Sequence, residues 1–424
     1  MGKATRDRPE VSPHGFGSEL LHGWRPLTAA TIGIGIGVAS LPFYTFGLFI
    51  PELEAEFGWS RSQLSSVLLL GSVINILLAP LIGTVVDRYG VRIPSTVSLV
   101  ALGGIFLLLA SVGQPFTAFL LLSSLMYVLA AASSPVSFTR AVNERFDRAR
   151  GVALGIALAG AGLVAFLAPQ VLGAQIAADW RGSYRILAVV VFVGAVVVGV
   201  LMPRSRALAR PAARAGTSEK APAAPRLAPL LRTPLFGRLA LTFFVLALAL
   251  GGMPVHLVPM LRDAGVSPAS AAGTASLVGV SLIVGRLVVG LLVDRFFAPR
   301  IAAAVLGVAA IGFLALLFGG PALAPVAAIG LGLSLGGEVD VMGYLTARYY
   351  DLAYYGRLFG VLYAIFVLGV GTSPLLISWL RGATGDYDAA LIASTGLLVV
   401  AAALLITSPR FPARSEAEPE ATQS

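Results

Sequence analysis

The stretch Gly83-Thr-Val-Val-Asp87-Arg88-Tyr-Gly90-Val-Arg92 decides the fold, because it follows a long apolar segment and has a copy later in the chain. The copy, Gly-Leu-Leu-Val-Asp-Arg, occupies residues 290–295, at an offset of 207. The same offset relates further pairs at the ends of apolar segments: Gly58 with Gly265, Ser60 with Ser267, and Arg150 with Arg357. Apolar composition alone does not produce such coincidences at loop ends. The repeat predicts two halves whose helices follow in the same order and orientation.

The composition is typical of a membrane protein with many spans. Of the 424 residues, 57% are hydrophobic and 12% are charged, about half the charged fraction of a soluble domain. This balance excludes a soluble enzyme, a disulfide-rich secreted domain and a disordered chain. The sequence contains no cysteine, which also argues against disulfides, thiol catalysis and cysteine-ligated metals.

Twelve apolar runs are each long enough to cross about 30 Å of hydrocarbon as a helix. We therefore predict an all-α membrane protein with twelve transmembrane helices in two six-helix halves. The halves cover residues 27–202 and 237–408, joined by a flexible cytoplasmic linker at 203–236 that is rich in Ala, Pro and Arg. Cytoplasmic tails cover residues 1–26 and 409–424. The first run is interpreted as a retained span and not a signal peptide, because no small-residue cleavage site follows it closely.

Basic residues are concentrated on one side of the predicted membrane. The tails and even-numbered connections carry 24 Lys or Arg, whereas the odd-numbered connections carry five: Arg61, Arg181, Arg185, Arg262 and Arg381. The positive-inside rule places the richer side, with both termini, in the cytoplasm. The net charge of +9 is thus explained by topology, and we expect no nucleic-acid partner. We predict a multi-pass protein of the cytoplasmic (inner) membrane.

The pattern of residues 83–92 resembles the loop 2–3 signature of the major facilitator superfamily: glycine, three residues, Asp-Arg, then a glycine and a basic residue. The second copy keeps Gly-x-x-x-Asp-Arg and loses the later glycine. With the repeat and the twelve spans, the resemblance covers nearly the whole chain. It implies a secondary transporter that works by alternating access.

A charge latch between the halves is the role we expect for Asp87 and Arg88 at the cytoplasmic surface. The alternative interpretation is a solvated loop turn. The residues assigned to the latch are Gly83, Asp87, Arg88, Gly90, Arg92, Asp294 and Arg295.

Four further segments resemble the bacterial branch of the monocarboxylate transporter family, near the oxalate/formate antiporter group. They are Glu56-Phe-Gly-Trp-Ser-Arg61, Val255-His256-Leu-Val-Pro259, Gly285-Arg286-Leu and Gly336-Gly-Glu338-Val-Asp340. The resemblance implies transport of small organic anions. Animal members carry a lysine in the first span, whereas this sequence has lysine only at positions 3 and 220, outside the predicted spans. The first span offers Phe43, Tyr44 and Phe46 instead, so proton coupling through that lysine is not carried over.

Arg286 is the one basic residue inside a predicted span. It lies eight residues before Asp294, which places it about 12 Å from the cytoplasmic end of the helix. A charge at this depth costs several kcal/mol unless it faces a cavity or a partner. We interpret Arg286 as a planar fork for a substrate carboxylate. The alternative is a buried ion pair with Glu338 or Asp340.

Glu338 and Asp340, in the predicted tenth span, are the candidates for proton coupling. Glu338 lies about 15 Å from the cytoplasmic end of that helix. Side chains at i and i+2 do not face the same way, so at most one of the two is expected to face Arg286. We favour Glu338 before Asp340 as the proton carrier. The alternative is a structural pair with Arg348 or Arg140.

Five other side chains complete the predicted substrate site. His256 lies between two prolines in the seventh span, where it can donate to an anion, carry a proton or bond carbonyls freed by the bend. The tyrosines can donate a hydroxyl to a carboxylate, although aromatic residues in helices are more often packing residues. The candidates besides Arg286 are His256, Tyr127, Tyr363, Phe43 and Tyr44.

The sequence therefore predicts a secondary transporter of small organic anions, of the monocarboxylate class, coupled to protons. Its expected partners are the anion, protons and membrane lipid, with no cofactor and with function as a monomer. Alternatives are an efflux exporter of hydrophobic compounds, a carboxylate exchanger, and a sensor built on a transporter fold. An enzyme is not expected, because no nucleophile–base pair or metal constellation is evident.

Overall fold

The computed structural model describes residues 16–147, 149–204 and 227–411. All regular elements in these ranges are helices, which confirms the predicted all-α fold. Most of both predicted tails and most of the predicted linker lie outside the described residues, so the domain boundaries stay a prediction.

Ten helical stretches are long and apolar enough to cross a membrane. One of them, Ala298–Tyr349, contains two helices separated by a 3-10 turn at Gly320–Leu323. A shorter apolar helix at Phe116–Leu129 supplies a further crossing. In chain order the spans are 1, Trp24–Phe57; 2, Arg61–Tyr89; 3, Arg92–Leu109; 4, 116–145; 5, Arg150–Ala178; 6, Trp180–Leu201; 7, Pro234–Asp263; 8, Pro268–Val293; 9, Ala298–Gly319; 10, Ala324–Tyr349; 11, Leu352–Thr384; and 12, Asp388–Ile406.

Spans 1 and 7 are each interrupted near their middle. Span 1 breaks between Trp24–Ile36 and Leu41–Phe57, and span 7 breaks between Pro234–Leu250 and Met253–Asp263. Each second segment has a proline in its first turn. Proline is tolerated there because its missing N–H would have no partner within the helix. Backbone amides freed by the breaks donate hydrogen bonds to serine hydroxyls of neighbouring segments. The N···O distance is 3.1 Å for Val38 N and 2.7 Å for Gly252 N. The breaks therefore leave these backbone donors satisfied inside the bundle.

The repeat is visible in local geometry. Gly58 and Gly265 end spans 1 and 7 with φ of +69° and +83°, a region that side chains with a Cβ rarely adopt. Two residues later, the hydroxyls of Ser60 and Ser267 cap spans 2 and 8 by accepting the backbone N–H three residues on. Equivalent residues thus perform equivalent caps in the two halves.

The two halves, spans 1–6 and 7–12, are packed together at one end of the bundle, which we call the closed end. It carries the loops at 58–60, 264–267 and 385–387. A Cβ added at Gly173, Gly371 or Gly47 would lie 2.3 Å from an atom of the other half: Ala272 Cβ, Ser72 Oγ and Val255 O, respectively. Spans 5 and 8, 2 and 11, and 1 and 7 therefore approach to backbone contact near this end.

At the opposite end, which we call the basic end, the same pairs of spans are apart. This end carries the loops at 90–91, 146–149, 294–297 and 350–351. A Cβ added at Gly83, Gly155, Gly290 or Gly360 would meet no heavy atom within 4 Å. At the glycines of these spans, the halves therefore approach closely toward the closed end and do not do so at these four positions toward the basic end.

Candidate functional site

Small residues bring spans 8 and 10 together in the middle of the C-terminal half. A Cβ at Gly285 would lie 2.4 Å from Leu333 O, and one at Gly336 would lie 2.3 Å from Leu282 O. Such close backbones let a side chain reach straight across to the neighbouring helix. Arg286, next to Gly285, makes this crossing.

The Arg286 guanidinium is only partly engaged by span 10. Its Nε lies 3.2 Å from Asp340 Oδ2 and donates to Gly336 O at 3.3 Å. Its Nη1 is buried and has no hydrogen-bond partner among the described residues. Arg286 is 17% exposed and Asp340 is 39% exposed. Because a charge facing lipid is costly, we assign the exposed part of this pair to the space between the halves.

The ion pair falls to Asp340 and not to Glu338, the carboxylate that the sequence favoured. Asp340 is one turn from Gly336, so both groups that contact Arg286 Nε lie on one face of span 10. Glu338, two residues earlier, lies on another face, and its Oε2 is buried without a hydrogen-bond partner in the described structure. Glu338 also lines a small cavity with Phe243 and Val289.

Tyrosines from two other spans approach this group, which we call the central cluster (Arg286, Glu338, Asp340, Tyr44 and Tyr363). Tyr44, in the N-terminal half, interacts electrostatically with both Glu338 and Arg286. Tyr363, in span 11, interacts electrostatically with Glu338. Phe43 packs edge-on against Tyr44 with ring centroids 5.2 Å apart. The cluster thus collects five predicted site residues, and Phe43 borders it.

Two predicted substrate residues lie elsewhere. Tyr127 packs against Gly71 inside the N-terminal half and lines a separate small cavity. His256 is fully buried toward the closed end, where Nε2 lies 3.0 Å from Pro374 O and Nδ1 lies 3.1 Å from the Tyr387 hydroxyl. Their roles in substrate binding stay predictions.

Arg61 forms the centre of a second charged group, the closed-end cluster (Glu54, Arg61, Asp263, Arg381 and Tyr387). Arg61 is 6% exposed. Its Nη1 and Nη2 each donate to Asp263 of the other half at 2.7 Å, and Nη1 also donates to the Tyr387 hydroxyl at 2.7 Å. Its Nε donates to Glu54 at 2.8–2.9 Å. Every nitrogen of this guanidinium therefore has an acceptor, and two of the acceptor residues belong to the opposite half.

Further bonds between the halves surround the closed-end cluster. Arg262 donates to Glu52 of the other half at 3.0 Å. The hydroxyls of Ser65 and Ser378 are 2.6 Å apart across the interface, beside His256. Within the C-terminal half, Arg381 also donates to Asp263, at 2.9 Å. The closed end is thus fastened by ion pairs at its rim and by hydroxyls one or two turns deeper.

Sequence reasoning missed the closed-end cluster. The signal was present: three of the five arginines assigned to that side, 61, 262 and 381, stand at the ends of spans near Glu52, Glu54 and Asp263. Opposite charges at the ends of helices with a sealed interface are candidates for ion pairs between halves. Counting arginines only for topology left the carboxylates out of the comparison.

The predicted latch residues lie at the basic end, and their described contacts stay within one half. Asp87 pairs with Arg140, which also contacts Glu144. Arg88 lies over the Tyr89 ring at 5.4 Å, and Gly90 has φ of +74° at the turn. Arg92 begins span 3, Asp294 caps span 8, and Arg295 N–H donates to Leu292 O. The latch, which includes Gly83, stays a prediction.

Among the described residues, no group of three or more His, Asp or Glu side chains is placed to hold a metal ion.

Comparison with known proteins places the chain in a family. The sequence model of the Major Facilitator Superfamily matches residues 32–339. Monocarboxylate transporter 13 of Bos taurus is 27% identical over 377 residues, covering 87% of this chain and 85% of the relative. Monocarboxylate transporter 11 of Homo sapiens is 28% identical over 424 residues, covering 92% and 83%.

Solved structures share the fold. The nucleoside transporter NupG, solved as a mutant, superposes with a TM-score of 0.74 at 12% identity, covering 91% of this chain and 99% of that one. A bacterial homologue of the human lysosomal transporter Spinster, in an inward-facing and occupied conformation, gives a TM-score of 0.68 at 15% identity, covering 92% and 96%. The protein is therefore a multi-pass membrane transporter and not an enzyme. The chain belongs to the major facilitator superfamily and is related to the monocarboxylate transporters.

Proposed function

We propose that the protein carries small organic anions, of the monocarboxylate class, across the cytoplasmic membrane by alternating access and together with protons. The observation that carries the proposal is the Arg286 Nη1 atom, which is buried and has no acceptor among the described residues. An unpaired buried guanidinium nitrogen is costly. A substrate carboxylate would supply the missing acceptor.

Substrate binding is expected to draw on both halves. The carboxylate meets the terminal nitrogens of Arg286, because Asp340 and Gly336 O already occupy Nε. Tyr44 interacts electrostatically with Arg286 from the other half, and we propose that it contributes a hydroxyl to the bound carboxylate. A site built from both halves makes affinity depend on their relative position, which alternating access requires.

Proton coupling follows from the charges around that site. One guanidinium faces two carboxylates, Glu338 and Asp340, within the cluster. An arriving anion raises the negative charge beside them and favours protonation of one carboxylate. Binding of the anion and binding of the proton then strengthen each other, which is symport by linkage.

The two ends of the bundle are proposed to open and close in alternation. The positive-inside rule assigns the basic end to the cytoplasm, so the described conformation is open inward and the closed-end cluster seals the outside. Opening outward requires separation of Arg61 from Asp263. In that state the loops that carry Asp87 and Asp294 are proposed to meet and close the cytoplasmic side.

Similarity to relatives supports the substrate class. The curated relatives named above are called monocarboxylate transporters, and the alignments cover more than four-fifths of each chain. Their identity of 27–28% makes the substrate of this chain a proposal that rests chiefly on Arg286.

Uptake by purified protein in liposomes tests the proposal. Labelled formate, acetate, lactate and pyruvate are offered with and without an inward proton gradient. The control variant is Arg185→Ala, because Arg185 is an exposed arginine outside both clusters. We expect uptake of at least one monocarboxylate that a proton gradient drives uphill and a protonophore abolishes. Exchange without gradient-driven accumulation would indicate a carboxylate exchanger. Transport of hydrophobic cations but of no carboxylate would contradict the proposal.

A further inference from the structure

We infer that Asp340 is a charge filter: it restricts the carrier to monoanions and excludes carboxylates with two negative charges. The inference rests on the proposed function and adds to it the residue that sets the permitted charge of the substrate. It comes from the position of Asp340 on the guanidinium and from the count of charges around it.

Asp340 occupies one edge of the Arg286 guanidinium, which is the group proposed to bind the substrate. Its Oδ2 lies 3.2 Å from Arg286 Nε, on the face of span 10 that also presents Gly336 O. The buried Nη1 remains on the terminal side of the guanidinium. A substrate carboxylate can therefore bind the terminal nitrogens while Asp340 stays at Nε. Both anionic groups then share a single cation.

The central cluster has no charge to spare for a second substrate carboxylate. Arg286 contributes one positive charge, whereas Asp340 and Glu338 contribute up to two negative charges. Between residues 268 and 347, the basic side chains other than Arg286 are Arg295, after the end of span 8, and Arg300, in the first turn of span 9, both at the basic end. With Glu338 protonated and Asp340 ionised, a bound monoanion leaves the central cluster with one net negative charge. A dianion brings a further charge with no cation to receive it.

Arg61, the central cation of the closed-end cluster, has no nitrogen left for a second carboxylate either. Each nitrogen of Arg61 already donates to Glu54, Asp263 or Tyr387. At the basic end, Arg140 pairs with Asp87 and Glu144. A dianion at Arg286 would therefore place its second charge against the Asp340 carboxylate, which repels it.

Neutralising Asp340 without changing its shape tests the filter. Uptake of the best labelled monocarboxylate is measured in liposomes against two competitors of equal size, succinate and its monoamide succinamate, at a pH where succinate is a dianion. We expect the native protein to prefer succinamate strongly. Asp340→Asn should lower the ratio of the two inhibition constants about a hundredfold, the order of effect of one unit charge at about 6 Å in an effective dielectric constant of about 20.

Matched variants separate the filter from general damage. Asp340→Glu keeps the charge and should keep the preference for succinamate, whereas Asp388→Asn removes an exposed carboxylate at the closed end and should change nothing. If Asp340→Asn fails to insert, the neutral and smaller Asp340→Ser provides the same measurement.

The outcomes distinguish the two proposals. A ratio in Asp340→Asn equal to the native ratio overturns the charge filter but leaves the carrier of monocarboxylates intact. A native protein that takes up no carboxylate overturns the proposed function and the filter together. An equal fall of the ratio in Asp388→Asn also overturns the filter, because the effect would then not depend on the central cluster.

Discussion

Two arginines of this protein, Arg61 in the closed-end cluster and Arg286 in the central cluster, differ in how their nitrogens are used. Arg61, at the closed end, has acceptors for Nε, Nη1 and Nη2. Arg286, in the C-terminal half, uses Nε and keeps a buried Nη1 without a partner among the described residues. The arginine side chain thus appears in two forms: a saturated one, in which every nitrogen has a hydrogen-bond acceptor, and an unsaturated one, in which a buried nitrogen has none.

The difference separates closing from binding. A saturated guanidinium gains nothing from a ligand, and its bonds to the opposite half must be broken when that end opens. An unsaturated guanidinium keeps a free site for an anion and carries the cost until a ligand arrives. We therefore expect variants of Arg61 to change the conformational equilibrium, and variants of Arg286 to change substrate affinity.

The largest effect is expected from Arg286. Arg286→Ala removes two charge-assisted hydrogen bonds to the substrate and should weaken monocarboxylate binding about a hundredfold. Arg286→Lys keeps the charge but loses the planar fork, and should also be strongly impaired. Substrate-dependent thermal stabilisation measures affinity, and Arg185→Ala is the control. Near-native affinity in Arg286→Ala would show that Arg286 does not bind the substrate and would contradict the proposed difference between Arg61 and Arg286.

Arg61→Ala should shift the protein toward the outward-open state. Breaking a buried ion pair costs roughly 3–5 kcal/mol, of which part reaches the equilibrium, so a shift of about thirtyfold is expected. The chain lacks cysteine, so Leu53→Cys, fully buried at the closed end, reports opening through its rate of modification by a water-soluble thiol reagent. An unchanged rate in the Arg61→Ala background would show that the closed-end cluster does not hold the seal.

Glu338→Gln should uncouple transport from protons. With a gradient of one pH unit, symport of one proton accumulates the substrate about tenfold. In Glu338→Gln we expect exchange of labelled for unlabelled substrate to persist and the accumulation ratio to fall to about one. If accumulation persists, Asp340, the residue that contacts Arg286, becomes the next candidate for the proton.

The smallest effect is expected at the basic end. Asp87 is 66% exposed and pairs with Arg140 of its own half, and exposed pairs contribute about 1 kcal/mol or less. The pair with Arg140 lies within one half and does not distinguish the two states, whereas the proposed latch closes the cytoplasmic side only in the outward-open state. Asp87→Asn should therefore favour the inward-open state by about threefold without loss of substrate binding. The measurement is a slower modification of Leu53→Cys in the Asp87→Asn background. A faster rate would contradict the proposed latch, because it would mean that Asp87 stabilises the inward-open state.

Local sequence determined much of this protein. Hydropathy gave the spans, because a helix that crosses hydrocarbon must be apolar along its whole length. The 207-residue offset gave the two halves, and Gly58 and Gly265 carry the left-handed turns that such a repeat requires. Depth along a helix also identified Arg286 as a residue that needs a partner.

Tertiary structure decided which groups meet. Residues 61 and 263 are 202 positions apart and belong to different halves, so no helical period relates them. The choice of Asp340 over Glu338 depends on the rotation of span 10 against span 8, which is set by glycine packing at positions 285 and 336. Sequence gives the position of a residue along its own helix, whereas the direction of a side chain toward a second helix is fixed only when the two helices pack.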